Sequence, residues 1–128
     1  MKNGRHLQGK GEVDYDYKND ILFFKVFERE YSRSMEINNI VLDLDKENFI
    51  VGIQILEASE FLNTSKSNLL KVPKWAFQAS INEGEIEVRL EFQILVRNKL
   101  IEKNPIIMQP TMGYLPNSTL TCEMGSSF

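Results

Sequence analysis

The sequence predicts an α+β domain that is mostly β, and three features carry that expectation. Apolar residues recur at every second position over several stretches, the period of a strand with one face buried. Short clusters of Asn, Asp, Lys and Gly interrupt those stretches at hairpin spacing. Helical spacing is confined to one short segment near 57–63. A chain of 128 residues amounts to about one domain and can bury a core without cross-links. The expected architecture is a set of antiparallel hairpins forming a curved sheet, or a small sandwich or open barrel, of about six or seven strands.

Residues 1–11 hold three glycines and three Lys/Arg around Leu7, and are expected to form a flexible arm. Residues 12–103 are expected to be a single β-rich domain made of two units, 12–64 and 75–103. In the first unit Val13, Tyr15 and Tyr17 alternate with Asp14, Asp16 and Lys18. A turn at Lys18-Asn19-Asp20 then leads into the β-branched and aromatic run 21–27, giving a hairpin. Residues 28–39 are polar and read as a loop or irregular edge. Ile40, Leu42 and Leu44 open a second hairpin through Lys46-Glu47-Asn48. Its return strand, 49–56, is apolar on most of both faces, and Gly52 within it signals a bulge or a close backbone approach.

Ala58, Phe61 and Leu62 fit one face of a short helix, and 66–74 reads as a connection between the units. In the second unit Trp75, Phe77, Ala79 and Ile81 share a face, and Asn82-Glu83-Gly84 makes the turn. Ile86, Val88, Leu90, Phe92, Ile94 and Val96 form the cleanest strand, which turns at Arg97-Asn98-Lys99 into Leu100–Glu102. Residues 104–128 are expected to be a Pro-containing apolar C-terminal segment that docks on the sheet or forms an edge strand.

Net charge is −3, divided as −4 over residues 1–64 (eight Lys/Arg against twelve Asp/Glu) and +1 over 65–128 (seven against six). That balance does not favour nucleic acid as a partner. The longest apolar runs are four residues, too short to cross a bilayer, and the N-terminus has no secretory apolar core, so a cytoplasmic location is the expectation. A single cysteine, Cys122, excludes an internal disulfide and a multi-cysteine zinc site. With His6 as the only histidine, a two-histidine metal site cannot form. The seven glycines never fall at phosphate-loop spacing. No cofactor is expected.

Two groups of residues are candidates for a site. Asp43-x-Asp45-x-Glu47 resembles the start of a calcium loop, but the position for the bidentate carboxylate is Gln54 and the second half is a strand. A hairpin turn explains it better. Asp14 and Asp16 also share a strand face, and beside Asp43 and Asp45 they would form a four-carboxylate patch suited to a metal or to acid–base chemistry. A solvated sheet face accounts for the same residue types. The second group is apolar: Ile106, Ile107, Met108, Met112, Tyr114 and Leu115 lie in a proline-interrupted segment that cannot form its own core. They are candidates for contact with a protein partner or a second copy of the chain.

Between residues 13 and 60 a Tyr-Asp strand (Tyr15-Asp16) leads to a turn aspartate and apolar strand (Asp20-Ile21-Leu22). Leu42-Asp43, Gly52-Ile53-Gln54-Ile55-Leu56 and Ala58-Ser59 follow. This series resembles the family catalogued as domain of unknown function 2283, with Gln54 departing from an acidic residue. The resemblance implies a compact β-rich intracellular module with a helix, more a partner-binding or regulatory piece than an enzyme. The functional expectation is therefore a non-catalytic module for protein interaction, self-association or regulation. The alternatives are a carboxylate-based metal-dependent enzyme and a nucleic-acid-binding accessory protein.

Overall fold

A computed structural model describes residues 5–111 and 113–125. It contains ten strands and two short helices: β1 (His6–Asp16), β2 (Ile21–Val26), β3 (Arg33–Ile37), β4 (Ile40–Leu44), β5 (Ile50–Leu56), α1 (Ala58–Phe61), α2 (Lys66–Leu70), β6 (Lys74–Asn82), β7 (Glu85–Val96), β8 (Lys99–Lys103), β9 (Ile106–Pro110) and β10 (Ser118–Gly125). They form one mixed, unclosed sheet in the order β3-β4-β5-β2-β1-β10-β6-β7-β8, with β9 also beside β7. The mostly β expectation holds, but the strand number and the purely antiparallel pairing do not: β1 and β10 run parallel.

One extra strand, β3, forms the sheet edge within the stretch 28–39 expected as a loop or irregular edge. The other changes come from the two ends of the chain. Residues 6–11 are not an arm. Their exposed positions, His6, Gln8 and Lys10, alternate with Leu7, Gly9 and Gly11, which turn inward. A Cβ on Gly11 would lie 2.2 Å from the Lys25 carbonyl oxygen and 2.9 Å from Cys122 Sγ. These glycines mark close backbone approach, not flexibility. Residues 104–128 are likewise more than a docked tail. Leu120, Cys122 and Met124 are buried in β10, a central strand between β1 and β6. Burial pushes the Cys122 thiol up to about 11, leaving it protonated at neutral pH.

The sheet folds over itself at β1, whose first half pairs with β10 and second half with β2. In a flat sheet β2 and β6 would be three strand spacings, about 14 Å, apart. Instead the Phe24 ring of β2 packs edge-on against Trp75 of β6 at 5.4 Å, and Phe77 lies 5.9 Å from it. Trp75 also meets Phe92 at 4.3 Å. The inward positions of both halves thus form one contiguous core.

Turn chemistry locks the first half. Asp20, at φ 58°, accepts from the Tyr15 hydroxyl and from the backbone N–H and hydroxyl of Ser59, tying the β1–β2 turn to α1. Burial raises the Asp20 carboxyl, but those donors outweigh it and hold it below the ordinary range. Asp43 and Leu44 flank a bulge that leaves Val51 unpaired, and a Cβ on Gly52 would meet Asp43 Oδ2 at 2.7 Å. The connection expected at 66–74 contains α2, capped by the Ser65 hydroxyl, which accepts from the Asn68 N–H.

Candidate functional site

The two-residue turn Arg97-Asn98, with φ of 52° and 65°, has the positive-φ form that matches strand twist. It returns β7 into β8, which pairs Val96 with Lys99 through to Phe92 with Lys103. β9 then pairs Arg89 with Ile106 through to Glu85 with Pro110. The register does not shift between them. Across the gap the Leu90 N–H donates to the Pro105 carbonyl at 3.0 Å, and the Thr111 N–H donates to Gly84 at 2.8 Å. Physically, β8 and β9 are one strand running from 99 to 110 along the outside of β7.

Which backbone groups remain free follows from that register. In an antiparallel pair alternate residues direct both N–H and C=O to the same neighbour. Pro105 and Thr111 bond inward to β7, so residues of the same parity do too. Leu100, Glu102, Asn104, Ile106, Met108 and Pro110 therefore direct their backbone groups to the open side. Among the described residues, β8 and β9 pair with no strand other than β7. The side chains of those six residues also lie on the outer face, beside Leu95, Arg89 and Glu87 of β7. Leu100 is 65% exposed, Ile106 and Met108 52% each. Leu100, Ile106 and Met108 are spaced along this edge among Lys99, Glu102 and Lys103, and an open strand edge is a template for another strand.

Charge is mixed along the hairpin. Arg97, Lys99, Glu102 and Lys103 lie toward its Arg97-Asn98 end, Arg89 and Glu91 in the middle, and Glu83, Glu85 and Glu87 at the other end. Lys99 and Lys103 are on the core-facing side, and Glu85, Glu87, Glu91 and Glu102 on the outer face. Only the exposed Arg89–Glu87 contact, 3.1 Å, forms an ion pair there among the described residues.

Of the six apolar candidates, Ile106 and Met108 line this edge and Tyr114 is 88% exposed in the following loop. Leu115 is buried in the core and Ile107 packs against it, so neither is free to meet a partner in the folded chain. Met112 lies outside the described residues. β8 adds exposed Leu100 to this edge, a residue outside the proline-containing candidate segment. The uncharged run Ile106-Ile107-Met108-Gln109 in phase with Leu100 was the available signal.

The four aspartates do not gather. Asp14 is on β1 and Asp43 on β4, with β2 and β5 between them, about 14 Å of sheet. Both border a shallow concavity of about 250 Å³ shared with Phe23, Lys25, Arg29 and Tyr31. The Asp43 carboxylate accepts from the Ser34 hydroxyl. Asp16 closes its own turn through Asn19, donors that hold its carboxyl low. Asp45 is 4% exposed and fully engaged: it accepts from the N–H groups of Glu47 and Phe49 and pairs with Arg29. It is a turn carboxylate, as the loop spacing argued. Among the described residues no three His, Cys, Asp or Glu side chains come together to hold a metal ion, and no helix is long and apolar enough to cross a membrane.

The model of a protein of unknown function, DUF2283, matches residues 12–59, the stretch from β1 to α1. The chain belongs to the DUF2283 family. It is 30% identical over 113 residues to a Methanosarcina mazei protein named "Putative hypoxanthine phosphoribosyltransferase", covering 88% of this chain and 92% of that one. An uncharacterized protein of Methanocaldococcus jannaschii is 31% identical over 99 residues, 77% of this chain and 85% of its own. No solved structure matches. The family match ends before β6, so the open edge of this DUF2283 protein lies outside it.

Proposed function

We propose that the chain is a non-catalytic binding module that takes up an extended strand along its open β8–β9 edge. The observation behind this reading is the row of outward-directed backbone groups from Leu100 to Pro110, flanked by exposed Leu95, Leu100, Ile106 and Met108. Main-chain bonding to such an edge provides affinity, and the flanking apolar side chains provide selectivity.

A transferase reading taken from the M. mazei relative's name has less behind it. A phosphoribosyl group is anionic, and the concavity opposes it with Glu12, Asp14 and Asp43. Of its two cations, Arg29 is committed to Asp45 and Glu47.

Met108→Pro tests the strand-addition reading. It removes an outward N–H while leaving the bonds to β7 in place. Stability in urea is expected to change by less than about 0.5 kcal/mol, whereas association, with itself or with a chain captured from cell extract, should be lost. Association equal in wild type and variant, or absent from both, would contradict the proposal.

A further inference from the structure

We draw no further inference here: the strongest candidate, the concavity on the outer face of β1, β2, β5 and β4, sets Glu12, Asp14 and Asp43 around Lys25, and no second feature among the described residues points to a ligand for that acidic cluster.

Discussion

The two ends of the sheet are built differently. β3, the edge of the first half, is five residues long and carries Arg33, Ser34 and Glu36 exposed. Arg33 is held by Asn48, and Ser34 by Asp43. The opposite edge spans residues 99–110 and includes an uncharged, half-exposed stretch from Ile106 to Pro110. Short charged edges discourage pairing, and the uncharged part of the longer edge, Ile106 to Pro110, lacks that protection. The contrast extends inward. The first half is fastened by carboxylates acting on its turns, Asp16, Asp20 and Asp45, whereas the second half relies on strand alternation. Specific polar contacts demand particular residue types, and alternation accepts many. A family model that ends at residue 59 fits that division.

The aromatic contact packs the halves together beside the β1–β10 ladder, and removing it should have the largest effect. Trp75→Ala deletes a buried ring that touches Phe24 and Phe92 and is expected to cost about 4 kcal/mol. Urea unfolding should stay a single transition at a lower midpoint; two separated transitions would show that the halves are independent. Asp45→Ala strikes only the first half. It leaves two turn N–H groups without their acceptor and Arg29 with Glu47 alone, at about 3 kcal/mol.

Asp20→Asn is a milder test, at about 2 kcal/mol near neutral pH. Because the folded carboxyl is held low, its contribution is present above the ordinary carboxylate range and is lost as pH falls through the lowered folded value. The difference between wild type and variant should therefore narrow as the pH drops below about 4. A gap independent of pH would show that the Tyr15 and Ser59 contacts do not depend on ionisation. The edge substitution Met108→Pro belongs at the small end of this series for stability and at the large end for association.

Most of the strands and turns were legible because two-residue periodicity is local. Val13–Tyr15, Trp75–Ile81 and Ile86–Ile94 each bury the face their spacing indicates, and Gly52 sits beside the bulge its position suggested. The same rule could have found β10 from Leu120, Cys122 and Met124, but the prolines before it drew the segment toward a tail. Gly9 and Gly11 misled for another reason. A glycine offers no periodic signal, and whether it marks freedom or crowding depends on which backbone lies above it.

Of the candidate site, sequence reading reached Ile106 and Met108 but not their setting. Composition also placed Leu115 and Ile107 with them, and burial separates those two from the edge. By itself, then, the sequence determined the β grammar, the turn carboxylates and the first-half family likeness, because each depends on neighbours within a few positions. Tertiary structure alone decided that β1 and β10 pair in parallel, that the sheet folds at Gly11, and that 99–110 forms its outer border. Those outcomes depend on contacts between residues up to about a hundred positions apart, which no local pattern encodes.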